Sequence, residues 1–139
     1  MTDKFQKSIE LSYALYDEKS ILRCQHFCFI WYKDRVISIG LNNKKTNPTN
    51  FYNRKIRNGN DYTEFSGTCA ELNSFIKLRN KTRILTEKCI MINTRINRNK
   101  ELDYSKPCIS CSNLIQYLSF KGVFFTNKLG SFEKFSLDN

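Results

Sequence analysis

Two short cysteine motifs constrain this chain more than any other feature: Thr68-Cys69-Ala70-Glu71, and later Pro107-Cys108-Ile109-Ser110-Cys111. Cys108 and Cys111 stand in C-x-x-C spacing just after a proline, a residue that suits the first position of a helix, so one helical turn can aim both sulfurs at a single ion. Cys69 belongs to a second helix start, two residues before Glu71. A fold that uses all three thiols must therefore bring two helix N-termini together. Three protein ligands leave the fourth tetrahedral position of a zinc ion open, which is the ligand count of a catalytic site, and a carboxylate beside that position can carry protons. Two plainer readings compete: a closed zinc knuckle, which needs a fourth ligand, and three buried cysteines with no metal at all.

In this order and spacing the motifs resemble the zinc-dependent cytidine/deoxycytidylate deaminase superfamily, whose signature pairs His-Ala-Glu or Cys-Ala-Glu with Pro-Cys-x-x-Cys. The resemblance spans most of the chain, from the hairpin near Phe27 to the strand near Phe125. It implies one zinc per chain held by Cys69, Cys108 and Cys111, with Glu71 as proton shuttle. The implied reaction is hydrolytic deamination of cytosine to uracil, in which water on zinc attacks C4 and Glu71 moves protons to N3 and to the departing ammonia. Thr68 and Ala70 fall where the backbone holds the base, and Asn42 where an asparagine contacts the sugar. For Asn42 a turn role, with the side chain standing in for a backbone bond, is an equal alternative. The run Asn43-Lys44-Lys45-Thr46-Asn47-Pro48 is similar to an Asn-x-Lys-Thr-His-Pro pattern of phage and large-virus members, with Asn47 in place of His. One departure matters electrostatically. Nucleoside deaminases place Arg after the last cysteine to offset three thiolates, and this chain has Ser112 there; dipoles of the two helices can supply part of that compensation.

A chain of 139 residues, 40% hydrophobic, is expected to form a single domain, 1–139, around one core. Its first residues lack the apolar run of a signal peptide and no stretch is long enough to span a bilayer, so a soluble, cytoplasmic protein without a membrane partner is expected, in the host cell if the source is viral. Reduced thiols fit that setting better than a disulfide scaffold, which leaves Cys24, Cys28 and Cys89 as core residues. The formal charge of +10 points to a polyanionic partner or a phosphorylated substrate. Coding from an AT-rich genome, which favours Lys, Asn and Ile, accounts for the same charge without any partner.

Helical spacing of Phe5, Ile9, Ala14 and Tyr16 predicts an amphipathic helix over 5–16. From Leu22 to Tyr32 both alternation phases are apolar, the mark of a strand covered on both faces. Lys33-Asp34 turns the chain into a second strand over 35–41, closing an antiparallel hairpin. His26, the only histidine, lies in mid-strand and is read as a structural residue outside the site. The segment 43–67 interleaves Lys44, Lys45, Arg54, Lys55 and Arg57 with Phe51, Tyr52, Tyr62 and Phe65. Cations among aromatics suit single-stranded nucleic acid, a nucleotide lid, or a solvated basic loop over a few core rings. Arg95, Arg98 and Lys100 read as a second basic loop. Thr68 is the expected N-cap of a helix to Leu78, Lys88–Asn93 a short strand, and Pro107 the opening of the helix that carries Cys108 and Cys111. Strands over 122–126 and 131–137, joined by Asn127-Lys128-Leu129-Gly130 with no room for a helix, should run antiparallel.

The expected architecture is α/β: a three-layer α/β/α domain of the cytidine-deaminase type. Its mixed five-stranded sheet has the two motif-bearing helices on one face and the N-terminal helix on the other. Two substrate classes follow. A free cytosine nucleoside or nucleotide is the primary expectation, in a pocket that a homo-oligomer would complete. Cytosine within single-stranded or duplex DNA or RNA is the alternative, with Lys44, Lys45, Arg54, Lys55 and Arg57 as contacts. A rival from another class is a binding module with a purely structural zinc site, which would have no use for Glu71.

Overall fold

The computed structural model describes residues 3–20, 24–42, 69–81, 85–107, 115 and 118–135. Helix α1, Lys4–Leu15, begins at Asp3, whose carboxylate accepts from the Phe5 and Gln6 amides at 3.0 and 3.2 Å and so satisfies two of the free N–H groups of the first turn. Strands β1, Gln25–Tyr32, and β2, Arg35–Leu41, form the expected antiparallel hairpin, turning at Lys33 with φ +55°. Helix α2, Ala70–Lys81, follows, then a 3₁₀ turn at Thr86–Lys88. Strands β3, Ile90–Ile96, β4, Gly122–Thr126, and β5, Phe132–Lys134, complete a sheet of order β2-β1-β3-β4-β5.

β3 runs antiparallel to β1 and parallel to β4, so the chain must cross over between β3 and β4; the helical residues Ile115 and Leu118 lie on that crossover. β4 and β5 are antiparallel, as their short connection requires. Asn127 shapes that connection, its side-chain oxygen accepting from the Leu129 and Ser131 amides, while Gly130 takes φ +82°. The mixed five-stranded sheet between helices is the α/β architecture expected of this chain.

Each face of the sheet carries its own core, because the residues of β1 alternate between the two. Phe27, Phe29 and Trp31 join Ile92 and Ile96 against Phe5, Leu11 and Tyr16 of the α1 segment. Cys28 and Ile30 join Met91 and Val123 against Ala70 and Leu78 of α2 and against Ile115. Cys28 and Cys89 are fully buried, whereas Cys24 is only partly so.

Three expectations need correction. The buried face of α1 is only partly Phe5, Ile9, Ala14 and Tyr16: Phe5 and Tyr16 pack on the core, but Ala14 is exposed, and the fully buried positions are Ser8 and Ser12. Ser8 Oγ accepts the Trp31 indole N–H at 3.0 Å, and Ser12 Oγ lies 2.7 Å from Ser8 O and 2.5 Å from Thr94 Oγ1. Hydroxyls with partners of this kind can be buried at little cost, so polarity misplaced the stripe. The central strand β3 extends beyond Asn93 to Ile96, which takes Arg95 out of the basic loop and onto the sheet. In the last strand only Phe132–Lys134 are in β conformation, and residues beyond 135 are outside the described set.

Candidate active site

Cys69 immediately precedes α2, and its carbonyl accepts the Asn73 amide at 2.9 Å, the first bond of the helix. The cap position is therefore Cys69, one residue later than expected; Thr68 is outside the described residues. Ala70 and Glu71 follow in the first turn, 1% and 3% exposed. The helix N-terminus places the positive end of the dipole beside both side chains.

The position of Glu71 follows from how α2 sits on the sheet. A Cβ at Gly40 would fall 2.2 Å from the Ala70 carbonyl oxygen and 2.3 Å from the Ser74 nitrogen, so only glycine lets the first turn rest directly on β2. Side chains then lock the contact. Ser38 Oγ donates to Ser74 O at 2.6 Å, Asn73 Nδ2 to Leu41 O at 2.9 Å, and Lys77 Nζ to Ile39 O at 3.2 Å. Ser74 Oγ lies 2.8 Å from Glu71 O and 3.1 Å from Cys28 Sγ. Burial pushes the Cys28 thiol well up, the nearby Glu71 carboxylate adds to the rise, and the Ser74 hydroxyl opposes it. Cys28 is thus a neutral thiol packed under the helix that carries Glu71.

Register extends this geometry across the sheet. Cys28 pairs with Gly40 on one side and Asn93 on the other, and Asn93 pairs with Phe125. All four lie on the α2 face. Asn93 is 3% exposed, yet neither Nδ2 nor Oδ1 has a hydrogen-bond partner among the described residues. Its backbone, in contrast, is tied down: Ser105 Oγ donates to Asn93 O at 2.9 Å, and the Ser105 amide donates to Thr126 O at 2.8 Å. These bonds bring the chain that leads to Pro107 across the ends of β3 and β4. Two residues further along β3, on the same face, Arg95 Nη1 donates to Tyr104 O at 3.2 Å while its buried Nε has no partner among the described residues. Tyr104 packs edge-on against Phe125, ring centroids 5.8 Å apart, so this corner joins both rows.

Asn42, at the end of β2, has its amide engaged with backbone. Oδ1 accepts from the His26 amide at 2.9 Å and Nδ2 donates to Cys24 O at 3.3 Å. That is the geometry of the turn role; among the described residues one amide hydrogen and one lone pair are left for another partner. His26 pairs with Arg95 in register, on the site's face of β1.

The structure thus brings together Cys69, Ala70 and Glu71, with Asn42 at the end of the neighbouring strand. Cys108, Cys111, Lys44, Lys45, Arg54, Lys55 and Arg57 are outside the described residues, as is Thr68. Among the described residues no three His, Cys, Asp or Glu side chains gather to hold a metal ion. Nor is any helix among them long and apolar enough to cross a membrane. The sequence reading passes over Asn93 and takes Arg95 only as part of a basic loop, although two polar residues alternating within Ile90-Met91-Ile92-Asn93-Thr94-Arg95-Ile96 are a signal that a central strand has a polar face.

No protein-family description and no curated protein matches the chain by sequence. Among solved structures it is similar to the apo crystal structure of the dCMP deaminase from cyanophage S-TIM5, at 17% identity and a TM-score of 0.53, over 89% of this chain and 80% of that one. At that identity the likeness is one of architecture: the chain shares its fold with a dCMP deaminase.

Proposed function

We propose that the protein is a zinc-dependent hydrolytic deaminase that converts cytosine to uracil in a free nucleoside or nucleotide. The observation that carries this reading is Glu71: a carboxylate 3% exposed, two residues after a capping cysteine, on a helix seated against the sheet through Gly40. A buried carboxylate beside a candidate metal ligand is the arrangement that proton transfer at the metal requires. The donor set fits zinc. Cys69 at a helix start and the C-x-x-C pair Cys108 and Cys111 are soft thiolate ligands that leave one coordination position open. Zinc bound there supplies Lewis acidity at that position.

The chain's own residues account for the rest. Glu71 takes a proton from the attacking water, passes it to N3 of the base, and a second transfer releases ammonia as the C4 carbonyl forms. Water and cytosine are consumed; uracil and ammonia leave. Backbone at Ala70 and Thr68 borders the base, and the spare hydrogen-bonding capacity of Asn42 serves the sugar.

The test combines substrate choice with one variant. Uracil formation is assayed with cytidine, deoxycytidine, dCMP and a cytosine-containing oligonucleotide. The isosteric variant Glu71→Gln should keep one zinc per chain and the wild-type fold while turnover falls about 10²–10⁴-fold. Undiminished turnover in that variant overturns the mechanism. Turnover confined to the oligonucleotide, weakened by salt and by Ala at Lys44, Lys45, Arg54, Lys55 and Arg57, assigns the substrate to nucleic acid instead.

A further inference from the structure

On the sheet face that carries Glu71's helix, a central strand presents two buried polar groups without hydrogen-bond partners among the described residues. Asn93 has an entire amide unpaired at 3% exposure, and Arg95 has a buried Nε unpaired two residues further along. Native interiors rarely leave such groups unsatisfied, because each orphaned donor or acceptor costs about 1–3 kcal/mol. Packing does not call for a polar residue at this point: Met91, on the same face and strand, belongs to the apolar core. Asn93 is held laterally between Cys28 and Phe125, and its carbonyl is fixed by Ser105, so the side chain cannot relieve the deficit by a shift of backbone. Among the described residues the Arg95 guanidinium donates to Tyr104 O, the Arg95 carbonyl accepts the Asp103 amide at 2.8 Å, and the Asp103 carboxylate feels the guanidinium's charge without coming within ion-pair distance.

We infer that Asn93 and Arg95 are ligand-contacting residues, Asn93 for the pyrimidine nucleoside and Arg95 for its 5′-phosphate, so that the preferred substrate is a free nucleoside monophosphate. This rests on the deaminase reading and names its substrate class. The order along β3 gives the assignment. Asn93 shares a cross-strand row with Cys28 and Gly40, on which the first turn of α2 rests, and Arg95 lies outward from it by about 6.6 Å, the rise of two strand residues. A base near Glu71 therefore meets the amide first and the guanidinium second. The amide offers a donor and an acceptor, matching the carbonyl and hydroxyl that a pyrimidine nucleoside presents away from its reacting edge. A guanidinium with an unused Nε–H presents the fork that suits a phosphate monoester.

Calorimetric binding to the zinc-loaded full chain, in a Glu71→Gln background that prevents turnover, tests this with dCMP, deoxycytidine and a cytosine trinucleotide. Losing a charge-assisted hydrogen bond should make deoxycytidine bind about 10- to 100-fold more weakly than dCMP. Arg95→Gln should abolish that difference and leave deoxycytidine affinity unchanged. Asn93→Leu should weaken both ligands by about tenfold while keeping or raising Tm, since it removes an unsatisfied amide from the core. Equal affinity for dCMP and deoxycytidine, a trinucleotide that outbinds dCMP, or an Arg95→Gln variant that weakens both ligands alike would overturn the assignment to a monophosphate. An Asn93→Leu variant with lowered Tm and unchanged affinity would assign that amide to a buried water. Wild-type turnover reports separately: a protein that prefers dCMP as above but forms no uracil refutes the deaminase reading and leaves this one standing.

Discussion

The two faces of the sheet bury polar side chains in opposite ways. Under α1, Ser8 receives the Trp31 indole, and Ser12 meets Thr94 at 2.5 Å; every one of these groups has a partner. Under α2, Asn93 is 3% exposed and its side-chain amide has no partner among the described residues. Satisfied polar groups specify how a helix docks, whereas unsatisfied ones persist where a ligand completes them. The α1 face therefore reads as the stabilising half of the molecule and the α2 face as the working half. Substitutions on the first should change stability with little effect per folded molecule on activity, and those on the second the reverse.

The largest effect on the α1 side is expected from Phe29, fully buried and stacked on Phe27 with centroids 6.5 Å apart. Phe29→Ala should cost about 3–5 kcal/mol in urea unfolding, through lost transfer energy and the cavity left behind. Turnover per folded molecule should stay at the wild-type value. A fall in kcat larger than the fall in folded fraction would show that the two faces are not separable.

Gly40→Ala tests the opposite side. The added methyl meets the backbone of Ala70 and Ser74, which cannot swing away as a flexible side chain would, so α2 must lift. Overpacking of this kind costs about 1–3 kcal/mol. The sharper expectation concerns activity: because Glu71 rides on that first turn, kcat should fall by more than the loss of folded protein explains. Unchanged kcat in the folded fraction would mean that the seat on Gly40 does not set the reach of Glu71.

What could be read from the sequence divides along the same line. The hairpin, the two-phase apolar pattern of β1 and the antiparallel ending follow from periodicity and turn residues, and all three stand as expected. The helix start at Cys69 and Glu71 was legible because cap chemistry is local, to within one residue. Ser8 and Ser12 were not legible as the buried stripe, since hydroxyls look solvent-facing until Trp31 and Thr94 arrive from other strands. Asn93 is missed, and Arg95 is read as a loop cation, for a related reason. Their meaning lies in what they lack, and an absent partner becomes visible only once every neighbour across the sheet is known.

The smallest effect discriminates most finely between the faces. If Ser12 and Thr94 are a satisfied pair and nothing more, Ser12→Ala should cost about 1–3 kcal/mol by stranding the Thr94 hydroxyl in an apolar layer. Adding Thr94→Val removes the stranded group and replaces it with a methyl of nearly the same volume. The double variant should then recover most of that loss, because deleting both partners of a buried hydrogen bond can be nearly neutral. Thermal unfolding of the wild type, both single variants and the double variant closes the cycle. Additive losses would show that the two hydroxyls act independently and that the α1 face is not held by matched pairs. A recovered double variant, set against an Asn93→Leu change that needs no second substitution to be tolerated, would separate polar burial that holds the fold from polar burial that awaits a ligand.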